Sequence, residues 1–578
     1  MKKLVSLSLV LILALSLLAA CGQTAPSSSQ APASEAASSE AAPASEAASS
    51  EAAPASEAAS SEEAPAEESG ESWKEEHPGW LCEEKQTLSV YTWEGVSSSF
   101  LPPSNDLFFW QWMEDYTNVH IEWEVVPYAD YSTLIAAKLS SPEKLNDIVN
   151  MGASAQTALS AGQNGMMVDF SEHWYDWFPC MSKMYDDMGI PYAQNVTNYD
   201  GSMYAITTFA APRFNRIILL YNLPWLEQLG LEIPKTVDEF TECLRAIKAA
   251  GDLNGNGQDD EIPFTATSVE WLLPAIGTAF GVENIESCDF FSADENGVVF
   301  PEYTSDNMKA MLGWLGDIYQ EGLLDAEIAT NTMDIVAEKV TAERVAVVAM
   351  YASFCGSYSN LTKAGQETPN SEIYTIGYPL TSELAPTPKM TMYENYGMFT
   401  GVSTDCENPE LAARWLDALY ADDNVMLVRC CGKPGETFEV DENGEPKIIM
   451  PADGSAWTIK NLGCGQLSLP YIQSDLQLTF SAKATRPWYI EKYTEHFFDY
   501  AEWAMPSVPK VPGYTEEETE IRDLYQADLK AGWEEYRDKF ITGALDVDKD
   551  WEAYTKTLEQ LGMNEMCKCY QSVYDRTR

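Results

Sequence analysis

Basic residues are scarce in this chain. Its 578 residues include 35 Lys and Arg against 90 Asp and Glu, a formal net charge of −55 at pH 7. Phosphate contacts need clustered Lys and Arg, so the balance argues against a nucleic-acid partner. It suits a neutral or cationic ligand better than a polyanion. Histidine is rarer still: His77, His120, His173 and His496 are the whole set, and none forms an HExxH pattern. A GxSxG elbow, a P-loop and a GxGxxG turn are also missing. A glycosidase needs only two placed carboxylates, so ninety acidic residues leave that class open. No long apolar run follows residue 21, and the expectation is a chain that does not span the membrane.

What is present begins at the N-terminus. Met1-Lys2-Lys3 is a short positive start, residues 4–17 are almost wholly apolar, and Leu18-Ala19-Ala20 leads into Cys21. The run is too short for a stable span and has the order of a cleaved export signal, here residues 1–20. Small residues before a cysteine fit a signal peptidase, and the new N-terminal thiol of Cys21 is the expected acylation point of a bacterial lipoprotein. Residues 24–72 are almost wholly Ala, Ser, Glu and Pro, with APASEAASSE recurring every eleven residues from Ala31, Ala42 and Ala53. An eleven-residue period can mean a right-handed coiled coil, but a proline in every unit would break it. So little apolar surface cannot offset chain entropy, so residues 21–84 are expected to be a disordered tether. At ~5–6 Å × √n it reaches a few tens of Å from the lipid. The ten Glu of residues 24–72, with no Lys or Arg among them, leave −45 on the rest of the chain.

That remainder is long enough for two lobes with their own cores. Short β-rich runs alternate with amphipathic helices, the pattern of an α/β architecture. Strands are expected at 87–93, 120–127, 147–151, 203–207, 216–221, 345–350, 373–378 and 398–402. Helices are expected at 106–116, 131–139, 237–250, 307–321, 409–420 and 516–540. Ligands of open α/β sheets sit beyond the C-terminal ends of strands, which singles out 93–94, 152–154, 209–213 and 351–354. Twelve cysteines in an exported chain suggest disulfides, yet eleven remain once Cys21 is acylated. No two pairs have zinc-finger spacing, so most read as buried free thiols.

Residues 216–248, RIILLYNLPWLEQLGLEIPKTVDEFTECLRAIK, resemble the crossover segment of the extracellular solute-binding proteins of ABC importers. The resemblance continues through DGSMYAITTF (200–209), TAERVAVVAMY (341–351), residues 396–420 and the C-terminal 539–576. It is to the lipid-anchored, carbohydrate-binding members, and the order and spacing of the pieces carry it. It implies a two-lobe periplasmic-binding-protein-like fold of class II type, with a hinge. Lobe 1 is expected at 85–207 and 337–400, and lobe 2 at 208–336 and 401–578. The implied function is a monomer on the outer face of the cell membrane that captures a carbohydrate, an oligosaccharide by preference, for a permease. Peptides or another solute are the alternative cargo.

One loop is an ion-site candidate. Asp252, Asn254 and Asn256 place side-chain oxygens at alternate positions around Gly257, as in the first part of an EF-hand. Gln258 would add its carbonyl, and Asp260 and Glu261 would close a Ca²⁺ shell. Pro263 stands where the full motif has its bidentate Glu, which is why Glu261 is needed. Similar loops bind calcium in alginate-binding relatives of the family. Residues 546–550 repeat the alternation without a glycine and read as a helix cap. Trp110, Trp112, Trp314, Trp415 and Trp533 fall in helical patterns and read as core. The expected cleft residues are Trp93, Glu94, Arg213, Trp271, Tyr351 and Trp488, where aromatic faces and charged groups could hold a sugar.

Overall fold

The structure, a computed structural model, describes residues 72–94, 106–152, 154–187, 189, 192–210, 217–282, 290–391, 395–442, 446–449, 469, 472–473, 487–504 and 513–577. The expected signal segment, Cys21, the tether up to residue 71 and Arg213 lie outside the described residues. Among those described, no helix is long and apolar enough to cross a membrane.

β1 (Gln86–Glu94) and β2 (Val119–Pro127) run parallel, connected through α1 (Phe108–Thr117). This helix buries Phe109, Trp110, Met113 and Thr117, one stripe at helical spacing, and stops at Asn118 with φ 57°. α2 (Tyr128–Ser140) leads to β3 (Ile148–Asn150), then α3 (Ala155–Gln163) and, further on, β4 (Ile206–Ala210).

The chain then builds a second sheet. β5 (Ile217–Asn222) is followed by α4 (Val237–Ala250), β6 (Ile262–Ala266) and α5 (Val269–Ile276). A hairpin of β7 (Phe291–Ala293) and β8 (Val299–Pro301) precedes α6 (Asp306–Gln320) and α7 (Met333–Thr341). β9 (Val345–Tyr351), α8 (Phe354–Leu361) and β10 (Tyr374–Ile376) complete a sheet of order β10-β5-β9-β6. Every residue of β5 is buried: Ile217, Leu219 and Tyr221 enter one core, Ile218 and Leu220 the other. A strand covered on both faces reads as a continuous apolar run. α4 starts on a capping box between Thr236 and Glu239.

After β11 (Lys389–Thr391) the chain returns to the first sheet. β12 (Asn395–Val402) inserts antiparallel between β3 and β4, and α9 (Pro409–Ala418) packs on that lobe's core. A hairpin of β13 (Phe438–Val440) and β14 (Pro446–Ile448) follows, and β15 (Ile472–Gln473) adds to the edge. The first sheet therefore has the order β15-β4-β12-β3-β1-β2. α10 (Pro487–Tyr493) goes back to the second lobe, where β16 (Glu502–Ala504) pairs with β11. α11 (Glu516–Ile541), α12 (Val547–Gln560) and α13 (Met563–Thr577) cover one face of that lobe.

Two expected boundaries are corrected. Residues 345–376 form strands of the second sheet, so 337–391 belong to lobe 2. Residues 402–469 share the core of the first sheet, so they belong to lobe 1. The hydrophobic runs at 345–350 and 398–402 look alike in sequence, and only pairing partners separate them. The tether also ends earlier than residue 84. Leu81 donates its N–H to the Thr117 carbonyl (2.9 Å), and Asn118 Nδ2 donates to Cys82 O (3.0 Å).

Among the described residues, the eight cysteines whose side chains are described are all free, five of them buried. Trp110, Trp415 and Trp533 are core as expected, and Trp112 and Trp314 pack partly buried against it. Asp546 caps α12, accepting from Asp548 and Lys549 N–H at 3.0 and 3.2 Å.

Candidate functional site

Register locates the rim of the site. In the first sheet, β1, β2, β3 and β4 all point their C-terminal ends at the edge where β12 begins, opposite Ala210. In the second sheet, Ile217 at the start of β5 pairs with Tyr351 at the end of β9, and β6 ends beside it at Ala266. The chain leaves the first sheet at this end of β4, at Ala210, and enters the second at the start of β5, at Ile217. Strand ends at a crossover are where open α/β sheets place ligands.

On lobe 1, Trp93 near the end of β1 packs against the Tyr131 ring, centroids 5.8 Å apart. Tyr131 donates its hydroxyl hydrogen to the Asn150 carbonyl, and burial pushes its phenol pKa well up. Asn150 Oδ1 accepts from Gly152 N–H (2.9 Å), while its Nδ2 donates to Thr92 Oγ1 (3.2 Å). The turn leaves no room for a side chain at Gly152. Its φ is +83°, and a Cβ there would meet Tyr131 Cε1 at 3.0 Å. Gly152→Ala is expected to cost about 1–3 kcal/mol by urea unfolding, more than an ordinary surface glycine change. A cost below half that would show that the turn relaxes freely.

On lobe 2, Trp271 in the first turn of α5 meets Tyr351 edge-on, centroids 4.7 Å apart, with both rings half-buried. Beside Trp271, Glu270 accepts from Arg537 Nη1 of α11 at 3.0 Å. Burial works against the Glu270 charge, but Arg537 and local hydrogen bonds outweigh it and hold the carboxyl below its ordinary range. The floor behind this rim is a buried polar network. Asp325 accepts from Lys339 Nζ (2.8 Å), Thr265 Oγ1 (2.6 Å) and Asn331 Nδ2 (3.0 Å). Asn331 also donates to the Ala266 carbonyl (2.9 Å), fixing the strand end that leads into α5.

Of the expected cleft residues, Trp93, Trp271 and Tyr351 stand at this rim. The backbone of Glu94 ends β1 there, and its side chain lies outside the described residues. Trp488 does not belong. Its Nε1 donates to the Asn370 carbonyl (3.0 Å), ahead of β10, whose Tyr374 pairs with Asn222 at the far end of β5. A tryptophan at a helix start gives no sign of which sheet end it faces. Tyr131 and Glu270–Arg537 were missed. Tyr131 had a signal, since it lies in the first turn of a helix that directly follows a strand end.

The candidate ion loop is folded around its own oxygens. Asp252 accepts from Asn256 and Gly257 N–H (2.9 Å each), and Asn256 Oδ1 accepts from Gln258 N–H (2.6 Å). Glu261 Oε1 accepts from Leu253 and Asn254 N–H, at 2.7 and 3.1 Å, while its Oε2 is buried with no partner. Asp260 Oδ2 pairs with Arg344 Nε at 3.0 Å. Among the described residues no three His, Cys, Asp or Glu side chains converge. The loop's donors are instead carboxylates mixed with amide and backbone oxygens, the set a hard cation prefers, and the orphaned Glu261 oxygen fits one. The loop precedes β6, and Ile262 pairs with Val345 at the start of β9. It therefore lies at the sheet end away from the rim, one strand length or ~16 Å distant.

Two α/β lobes of this topology, each with an aromatic pair at its strand ends, have the architecture of a protein that encloses a ligand between lobes. The chain belongs to the family of bacterial extracellular solute-binding proteins, whose model matches residues 98–426. It is similar to the fructooligosaccharide ABC transporter substrate-binding protein FusA of Streptococcus pneumoniae serotype 4, 25% identical over 519 residues, 86% of this chain and 91% of that protein. The lipoprotein LipO of Bacillus subtilis strain 168 is 22% identical over 480 residues, 81% of this chain and 88% of that one. The solved structure of FusA in complex with kestose superposes with a TM-score of 0.65 at 22% identity, covering 85% of this chain and 99% of FusA. That of the alginate-binding protein AlgQ2 without calcium ion has a TM-score of 0.65 at 18% identity, covering 86% and 99%. Membership answers the glycosidase alternative: the family binds solutes and does not turn them over.

Proposed function

We propose that this protein captures a neutral oligosaccharide between its two lobes and hands it to an ABC permease. The supporting observation is one aromatic pair at the strand ends of each lobe, Trp93–Tyr131 and Trp271–Tyr351. Pyranose and furanose C–H faces pack on such rings, while hydroxyls need directional donors and acceptors. FusA, named for fructooligosaccharide transport, aligns over most of both chains and supports the same class of cargo. Closure of the lobes on the sugar would shift the population that the permease recognises. Cys21 would carry the lipid anchor, with residues 21–71 as tether on the outer face of the membrane; LipO, a lipoprotein by name, supports this. Mass spectrometry of the N-terminal peptide tests it: acyl chains on Cys21 are expected, and an unprocessed Met1 would refute it.

In the same reading, Asp252, Asn254, Asn256, the Gln258 carbonyl, Asp260 and Glu261 hold a structural Ca²⁺. The ion would clamp the turn between α4 and β6. Chelation by EGTA should lower the melting temperature, since a ligand at a hundred times its Kd contributes about 2.7 kcal/mol. Glu261→Gln should abolish the response to added Ca²⁺. An unchanged melt with no Ca²⁺ by elemental analysis would rule the ion out.

A further inference from the structure

Beside the rim, a cavity of about 250 Å³ opens between α5, the start of the β7–β8 hairpin and α11. Nothing assigned so far uses it. Its volume is that of roughly eight waters at ~30 Å³ each, room for one sugar ring with its hydroxyls. Three aromatic rings form one wall. Phe290 and Tyr303 lie 5.3 and 5.4 Å from Trp533, and 5.0 Å from each other. Phe290 is held at φ +65°, a conformation costly for a bulky residue, and backbone strain of this kind collects at binding sites.

The opposite wall is polar. The Arg537 side chain is 5% exposed, yet it gives only Nη1 to Glu270 (3.0 Å) and Nε to Asp538 (2.8 Å). Its Nη2 makes no hydrogen bond to the protein but is not sealed from solvent, which leaves a donor at the cavity's mouth for a guest to take up. Glu270 and Glu534 are set against Arg537 and Lys530 around the opening, so the lining is close to neutral. Adjacent donors and acceptors over aromatic faces suit vicinal hydroxyls rather than an anion or a purely apolar guest.

We propose that this cavity is a second sugar subsite, taking one ring of an oligosaccharide whose neighbouring unit lies at the Trp271–Tyr351 rim. Glu270 links the two, bonded to Arg537 on one side and next to Trp271 in α5. The inference rests on the carbohydrate reading above and adds a chain-length preference to it.

Calorimetry on the whole chain tests it with kestose against nystose, and with maltotriose against maltotetraose. In the unaltered protein the longer sugar of the series that binds should be about tenfold tighter. Phe290→Ala should erase that gain and leave the affinity for the shorter sugar unchanged, and Arg537→Met should erase the gain as well. Melting curves show that each variant is folded, and Arg537→Lys, which keeps the charge but loses the fork, should lose most of the gain. A gain absent from the unaltered protein, or intact in the folded variants, overturns the subsite while leaving sugar capture standing. If neither series binds, the subsite falls, and the carbohydrate reading falls with it only if a wider glycan panel is also silent.

Discussion

Lys339→Met is expected to destabilise the protein by about 3–5 kcal/mol, the cost of leaving a buried carboxylate without its partner. Lys339 Nζ donates to Asp325 Oδ2 and Asn331 Oδ1 at 2.8 Å each, and reaches Glu327 Oε2 at 2.9 Å. Both Lys339 and Asp325 are buried, so neither regains water when the other is removed. Urea unfolding measures the loss. The double variant Lys339→Met, Asp325→Asn should recover part of it, because the isolated charge is gone. Burial opposes the Asp325 charge, but Lys339, Thr265 and Asn331 outweigh it, holding the carboxyl below its ordinary range. A depressed folded pKa gives stability that is present above the unfolded value near ~3.9 and lost as pH falls through the folded one. Lys339→Met should therefore flatten the acid limb of stability against pH below about 4. A loss under 1 kcal/mol would mean that the network opens readily to water.

Trp271→Ala should weaken sugar binding by roughly thirtyfold or more, the loss of about 2 kcal/mol typical of an aromatic anchor. Trp271→Phe should keep much of the affinity, since it retains a ring face against Tyr351. Trp488→Ala is the control. It removes an indole of the same size at the far end of the second sheet and should leave affinity unchanged, though it frees the Asn370 carbonyl. Equal losses for both variants would mean that tryptophan removal acts through general destabilisation rather than through the rim.

Much of this architecture was legible in local sequence. The run IILLYN announced a doubly covered strand, and Thr236 with Glu239 announced the start of α4. β6 was not foreseen, because IPFTA is short, carries a proline and shows no alternation. Strand 203–207 was placed three residues early, since Met203 and Ala205 are buried without pairing. The lobe assignment of 337–391 and 401–473 failed for a different reason. β12 and β9 are both apolar runs, and membership of a sheet depends on contacts across some two hundred residues. The site was half legible. Strand ends followed from alternation, which gave Trp93 and Tyr351, while Trp271 stood out only as a tryptophan in a loop or at a helix start. Arg537 lies near the C-terminal end of a 26-residue helix, where sequence marks no direction toward Glu270.

Thermal-shift screening of the protein, with Ca²⁺ present, against oligosaccharides, peptides and small polar solutes tests capture most directly. A rise of several degrees with one family of neutral glycans, recovered intact, is the expected result, since a ligand that binds only the folded state stabilises it. A shift with peptides alone would contradict carbohydrate capture, and a glycan recovered cleaved would contradict binding without turnover.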